Sequence, residues 1–414
     1  MKEFSVSHIF DSSRLIGHSR FVLAINKPPS ISSAQVIRNL QEHFNPSTFF
    51  APWLAAERAF RDEEQRYQRG RRKDKRVQVK IGHGGTLDPM ATGVLIMGVG
   101  RGTKQLQGFL ECTKTYEATA LFGAATDTYD VLGKVLRRGD HKHLTREKVE
   151  NALLKFRGKI MQRPPIYSAL RVQGKRLYEY AREGKEVPKE IEKRPVEVKE
   201  LDIVEWMEGG SHKHKWPKEE AEEEAKDLAE KVLHLGDVTV GSASIEASSA
   251  RGAKRKRYLD SGDDESISCK RPNLEDQGND PEALMSGGLP APSDSPIEPR
   301  ASADASSNSE RAPAEPALPA QDQGPPAVKL RMTVTSGFYV RSLSHDLGEA
   351  VGSLACMSEL VRLRQGEFEL GKNVLDYEEL EKGEKVWAPQ LERFLEQWEQ
   401  RSDDFSISEK KDQD

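Results

Sequence analysis

The sequence predicts an α+β fold in one globular domain that a long insertion splits in two. Three observations carry this. Short apolar runs bounded by Gly and Pro turns alternate with stretches of helical period. Only 36% of the 414 residues are hydrophobic and 31% are charged, so a large part of the chain has little to bury. Finally, residues 208–327 are polar and, from Pro281 onward, dominated by Pro, Ser, Ala and Gly, and neither flanking piece looks self-sufficient.

Taken in order, residues 21–26 (FVLAIN) read as a buried strand stopped by Lys27-Pro28-Pro29, after which Ser32 and Ser33 cap a helix to about Glu42. Residues 45–79 read as an inserted segment, helical in part and basic toward its end. The glycine-rich stretch 81–108 holds a strand over 94–99, and 116–122 alternates like a half-buried strand. An amphipathic helix follows Thr145 and ends near Arg157-Gly158. Residues 161–180 contain a Pro-Pro turn and then a basic, Tyr-rich helix, and 195–206 read as a strand. The insertion, 207–327, is read as largely disordered apart from a charged helix over 219–233, with His212 and His214 in a solvated loop. Order returns with a strand over 328–335, a Ser336-Gly337 turn, a helix over 340–351 and a last helix over 387–401. The expected division is therefore an extension (1–20), a first domain part (21–206), the insertion, a second part (328–380) and a C-terminal helix with a polar tail (381–414).

The net charge of −4 conceals an asymmetry: eight Lys or Arg lie between Arg66 and Lys80 with Asp74 the only acid, the kind of local block that binds phosphate. Cys112, Cys269 and Cys356 are scattered without CxxC spacing, which suggests neither a disulfide framework nor a zinc site and fits a reducing compartment. No apolar run of membrane-spanning length occurs. The run Lys254-Arg255-Lys256-Arg257 reads as a nuclear localisation signal or an extra RNA-binding arm. Arg14 and Arg20 among N-terminal serines give a partial mitochondrial pattern, which Glu3 and Asp11 interrupt. The expected location is nucleus, mitochondrion or both.

The chemistry concentrates at residues 82–93, GHGGTLDPMATG. Neither GxxxxGK[ST] nor GxGxxG is met, here or at residues 98–104, so a nucleotide-cofactor loop is excluded. On residue type alone Asp88 is a turn residue before Pro89. The glycines around it let another backbone approach closely.

This block resembles the active-site motif of the TruB family of pseudouridine synthases, in which the Asp of G-G-T-L-D-P is the essential residue. Lys114-Thr115-Tyr116-Glu117 resembles the strand bearing the family's active-site Tyr, and residues 122–130 the segment that follows. Residues 164–184, PPIYSALRVQGKRLYEYAREG, resemble a further signature, and 336–348 the last motif block. The two insertions are similar to those of fungal stand-alone members that modify uridine 55 of the tRNA T loop.

The resemblance implies a pseudouridine synthase fold, a mixed, mainly antiparallel sheet with flanking helices around a central RNA-binding cleft. It also implies a reaction that breaks the N1–C1′ bond of a uridine, rotates the base and joins C5 to C1′. No redox change, phosphate donor or metal-bound water is needed, and no cofactor or metal is expected. Asp88 is the implied catalytic carboxylate, as nucleophile or on a glycal route. Arg341 keeps it charged and oriented. Tyr116 lies against the uracil, with a part in proton transfer, and Leu360, a helix-core residue on periodicity alone, floors the pocket. His83 fills space vacated when the target base is extruded, within a loop, Gly84, Gly85, Thr86 and Leu87, that meets the substrate. Tyr167, Lys175, Arg176 and Tyr178 mix cations and rings as RNA contacts do. The implied partner is the tRNA T arm, with T-loop-like sites in mRNA as a further substrate and no obligatory protein partner, the chain acting as a monomer. A guide-RNA-dependent enzyme is disfavoured because about sixty residues follow Leu354, little room for another β domain. A non-catalytic RNA chaperone would not need Asp88, Tyr116 and Arg341 together.

Overall fold

A ten-stranded mixed sheet organises the computed structural model, which describes residues 20–67, 77–183, 185, 187–188, 191–223, 226 and 324–411. The first half of the chain gives β1 (Arg20–Lys27), α1 (Ser33–Phe44), α2 (Ala51–Tyr67), β2 (Ile81–His83), β3 (Thr92–Gly100), α3 (Leu106–Glu111), β4 (Lys114–Phe122), β5 (Ala124–Thr126) and β6 (Val135–Arg138). There follow α4 (Arg146–Leu153), β7 (Gly158–Gln162), β8 (Arg171–Val172), β9 (Lys175–Arg176), α5 (Leu177–Arg182) and β10 (Arg194–Met207). The last part contributes β11 (Ala327–Val334), α6 (Val340–Ala350), β12 (Ala355–Gln365), β13 (Phe368–Glu369), β14 (Leu375–Asp376), α7 (Glu378–Glu381) and α8 (Glu384–Lys411).

The strand order is β14-β1-β3-β12-β4-β11-β10-β7, with β2 on β3 and β13 on β12. Only the β1–β14 and β12–β3 pairings are parallel, so the sheet is mixed and mainly antiparallel. Neighbours in the sheet come from distant parts of the chain: β12 and β11 flank β4 although more than two hundred residues separate them in sequence. The second part of the chain therefore completes the core of the first.

Local chemistry sets several boundaries. Ser32 caps α1 by accepting from Gln35 N at 3.1 Å, and Thr145 caps α4 by accepting from Lys148 N at 3.2 Å. At β3, Gly93 has φ +96°, and a Cβ there would sit 2.3 Å from the carbonyl oxygen of Arg362. Only glycine lets β3 and β12 approach this closely.

Four expectations are corrected. The strand at 116–122 does not alternate: Ala118 to Phe122 are all buried, because β4 is a central strand covered on both faces. The basic helix within 161–180 is short, α5, preceded by a β8–β9 hairpin that turns on Gln173 (φ 51°) and Gly174 (φ 83°). Leu360 lies on strand β12 and not on a helix, since the residues from Ala355 onward pair along β4. His212 and His214 are held against the sheet: a ring nitrogen of His212 lies 2.9 Å from the carbonyl oxygen of Pro325, and His214 Nδ1 lies 3.2 Å from Ser358 Oγ. The chain packs as far as Ala221, whose N–H donates to Val135 O. The charged helix expected at 219–233 lies, beyond Glu223 and Lys226, outside the described residues, as do the basic run at 254–257 and the side chains of most of the 66–80 block.

Residues read as an insertion at 45–79 contribute to the core. Phe49, Phe50, Leu54 and Val79 are buried there with Phe44 and Trp387. Trp387 lies 5.1 Å from Phe44, 5.9 Å from Phe49 and 6.5 Å from Phe50, ring centre to ring centre. Glu384, at the start of the same helix, accepts from Thr48 N at 3.0 Å and Phe49 N at 2.7 Å. This apolar cluster ties α8 to α1 and α2. Trp387→Ala should therefore cost about 3–5 kcal/mol of stability. Denaturant titration of the full chain checks this, and a loss below about 1 kcal/mol would show that α8 lies outside the cooperative core.

Candidate active site

The site is built around one buried guanidinium. Arg341 is the second residue of α6 and is 8% exposed at its side chain. Its Nε donates to Asp88 Oδ2 at 2.8 Å and its Nη2 to Asp88 Oδ1 at 3.1 Å, a bidentate fork on the carboxylate. Two further bonds hold it: Nη1 donates to the carbonyl of Thr128 at 3.0 Å and Nη2 to that of Tyr167 at 2.9 Å, so all three nitrogens are engaged. Burial works to lower the Arg341 pKa, but the Asp88 and Asp130 carboxylates outweigh it and hold the group above its ordinary value. Asp88 keeps 27% of its side chain exposed, so the carboxylate is anchored from behind and open on its other side.

The loop carrying Asp88 is fixed from below. Ser33 Oγ accepts from Leu87 N at 3.0 Å and donates to Leu87 O at 3.2 Å. Lys27, fully buried at the end of β1, donates to the carbonyls of Pro28, Pro89 and Ala91 at 2.7 to 2.9 Å. Burial pushes Lys27 down to about 8 against the opposing pull of Asp88. Gln365 Nε2 donates to Gly84 O at 2.6 Å, and Gly84 N to Ile96 O at 2.9 Å. Gly85, at φ +120°, faces Gln365 and the guanidinium of Arg362.

The other expected site residues fall into two groups. Tyr116 pairs across β4 with Arg362 on β12 and Met332 on β11, and Leu360 pairs with Ala118. Because cross-strand partners share a face, Tyr116, Leu360 and Arg362 stand on one face of the sheet, and the Arg362 guanidinium reaches the Gly85 loop. Thr86 is exposed beside buried Leu87. His83 lies on β2 beside Met97, its ring pKa lowered by burial and by Arg362. The second group belongs to the β8–β9 hairpin and α5. Lys175 pairs with Glu183 at 2.5 Å and lies over Tyr180, while Arg176 Nη1 donates to the Tyr178 hydroxyl at 2.7 Å. Tyr178 is 7% exposed, so it packs inside this module and does not offer a ring to solvent. Tyr167 joins the two groups: its carbonyl holds Arg341, and Tyr178 N donates to the carbonyl of the next residue, Ser168.

Four residues of the site were not singled out by sequence reasoning. Asp130 is 5% exposed, its Oδ2 3.9 Å from Arg341 Nε, and its Oδ1 accepts from Thr128 Oγ1 at 2.7 Å and Leu132 N at 3.0 Å. Burial raises its pKa, with Arg341 pulling the other way. Lys27, Arg362 and Gln365 are the others. Lys27 had a signal, a lysine closing an apolar strand before Pro-Pro. The latter two look like ordinary polar positions until β12 is placed beside β3.

Among the described residues, one group of possible metal ligands falls within 4.8 Å: His345, Asp346 and Glu349 on α6. Arg137, Arg163 and Lys193 act to lower the pKa of its carboxylates, but burial outweighs them and raises both.

Residues 72–215 match the family described as TruB family pseudouridylate synthase (N terminal domain). Over 364 residues the chain is 41% identical to tRNA pseudouridine synthase 4 of Schizosaccharomyces pombe, covering 86% of this chain and 82% of that protein. The chain belongs to the TruB family of pseudouridylate synthases, and is an isomerase. It is also 33% identical over 391 residues to tRNA pseudouridine synthase 4 of Saccharomyces cerevisiae, covering 91% of this chain and 85% of that one. Among solved structures it is similar to the crystal structure of a Cbf5-Nop10-Gar1 complex at 17% identity and a TM-score of 0.39, covering 89% of this chain and 55% of that chain.

One titration behind the site is testable. Burial, reinforced by Glu349, pushes Asp346 up to about 7 from 3.8. The folded state therefore holds this proton more tightly than the unfolded chain. Its contribution to stability is complete below the unfolded value and is lost as pH rises through 7. Asp346→Asn should lose less stability than the wild type between pH about 5 and about 8.5. Melting temperatures at the two pH values check this, and parallel losses would refute the assignment.

Proposed function

We propose that this enzyme isomerises uridine 55 in the T loop of tRNA to pseudouridine, with Asp88 as its catalytic carboxylate. The observation that carries the reading is the bidentate Arg341–Asp88 pair, in which a carboxylate is clamped by a buried guanidinium yet keeps 27% of its side chain exposed. The names of the two fungal relatives support tRNA as the substrate class.

The chemistry follows from the geometry. The reaction exchanges an N1–C1′ bond for a C5–C1′ bond, the proton on C5 leaves, and N1 gains one, so substrate and product have the same composition. An anionic oxygen held at the ribose acts as nucleophile at C1′, or as the base of a glycal route. In either case it must be ionised and immobile as the base departs. A guanidinium with all three of its nitrogens engaged supplies both: positive charge against the carboxylate, and no freedom to swing away. Tyr116 lies against the freed uracil, Leu360 floors the pocket, and His83 takes the space of the extruded base. The β8–β9 hairpin with Lys175 and Arg176 bears on the RNA backbone. T-loop-like uridines in mRNA are further substrates under this reading, because recognition rests on loop shape and the extruded base. The enzyme acts as a monomer, and the basic run at 254–257 supports a nuclear pool.

Release of tritium from C5-labelled uridine in a T-arm transcript measures turnover directly. Asp88→Asn should lower it by more than about 10³-fold while RNA affinity is kept. Arg341→Lys, which preserves charge but not the fork, should cost about 10²-fold in kcat. Residual turnover near wild type in Asp88→Asn would overturn the assignment.

A further inference from the structure

At the far end of β4 from Tyr116, about 20 Å along the strand, the chain forms a second cleft that the reaction at Asp88 does not use. Its volume is about 620 Å³ and its walls include Arg138, His212, His214, Lys215, Trp216 and Lys218. The two margins of the long insertion meet here: Lys218 from one and Gly324 and Pro325 from the other all line the cleft.

Trp216 is rigid. Its Nε1 donates to the Phe122 carbonyl at 2.7 Å, and His141 meets its ring edge-on with centres 5.5 Å apart. The Arg138 guanidinium lies over the indole at 5.1 Å. Arg138 reaches Glu220 at 3.4 Å, an exposed pair of small worth. Lys215 and Lys218 are exposed, and among the described residues neither pairs with a carboxylate. The rings of His212 and His214 stand 5.4 Å apart beside them. A packing role accounts for the anchored indole. It does not account for an open cleft of nucleotide size lined by unanswered cations.

We propose that this cleft is a second RNA-binding site, taking single-stranded ribose-phosphate backbone with a base stacked on the Arg138–Trp216 pair. A fixed ring topped by a guanidinium plane is a stacking platform for any base, and Lys215 and Lys218 sit where phosphates flanking that base would pass. This rests on the reading of the chain as an RNA enzyme, and it extends RNA contact to a face remote from Asp88. A guest from another class, such as an acidic peptide, would be satisfied by the cations and make no use of the stacked pair.

The test uses the full chain and an oligouridylate pentanucleotide carrying one 4-thiouridine. Photo-crosslinks should map to the peptide containing residues 212–218. The double variant Lys215→Glu/Lys218→Glu, both positions exposed, should weaken binding by roughly tenfold and flatten its salt slope by about 1.4, for two lost contacts. Crosslinks confined to the face carrying Asp88, or an unchanged affinity and salt slope, would overturn the proposal. Capture of an acidic peptide in place of the oligonucleotide would overturn it equally. Wild-type turnover of a T-arm stem–loop is read in parallel. If that fails, the proposed function fails, whereas loss of the crosslink with turnover intact removes only the second site.

Discussion

The fork between Arg341 and Asp88 is the constraint on which the rest of the structure depends. A guanidinium this deeply buried is tolerable only if each donor finds an acceptor, because an unanswered buried charge costs several kcal/mol. The four acceptors come from the glycine loop at Asp88, the turn at Thr128 and the segment at Tyr167, separated from Arg341 by 253, 213 and 174 residues. The same bonds that satisfy the charge thus draw together segments far apart in the chain. Asp130 adds a second carboxylate at 3.9 Å, close enough to strengthen the field without joining the fork. Folding and the catalysis proposed for Asp88 make the same demand here: the carboxylate must be fixed, and it stays partly exposed on its other side.

Beneath the loop a different problem is solved. Lys27, Lys114 and Arg362 are all buried near one another, each carrying a positive charge. Backbone carbonyls take most of the load: Pro28, Pro89 and Ala91 for Lys27, Leu110 and Cys112 for Lys114, and Val94 for Arg362. Burial and mutual repulsion lower the pKa of both lysines. These cations hold the ends of strands and loops in place, and Lys27 also brings positive charge toward Asp88.

Much of this was legible in the sequence, for identifiable reasons. Strands β1, β3, β10 and β11 and helices α1, α4 and α6 follow from period and caps, which are local properties. Asp88 and Arg341 were legible because the motif blocks around them resemble a family's, and the structure joins the two with a fork that no spacing rule could give across 253 residues. What was missed depends on tertiary neighbours. Leu360 reads as helical until β4 supplies a partner strand. Tyr178 reads as a surface ring until Arg176 and the hairpin enclose it. His212 and His214 read as loop residues, and Trp216 falls in the segment read as largely disordered, because their neighbours are polar, although alternate residues of that segment turn toward the sheet. Local polarity reported the outward side of the segment and hid the inward one.

Strand β4 shows why one fold can present RNA-facing chemistry at two places. Its N-terminal half carries Tyr116 beside Arg362 and the glycine loop, and its C-terminal end passes under Trp216. Between them run Ala118, Thr119 and Ala120, small residues that let the strand be buried on both faces. At one end the buried guanidinium makes an immobile carboxylate. At the other the margins of the insertion close over an indole and leave their lysines facing outward. The margin of the long insertion thus adds Lys215 and Lys218 to Arg138 at the end of β4 away from Tyr116.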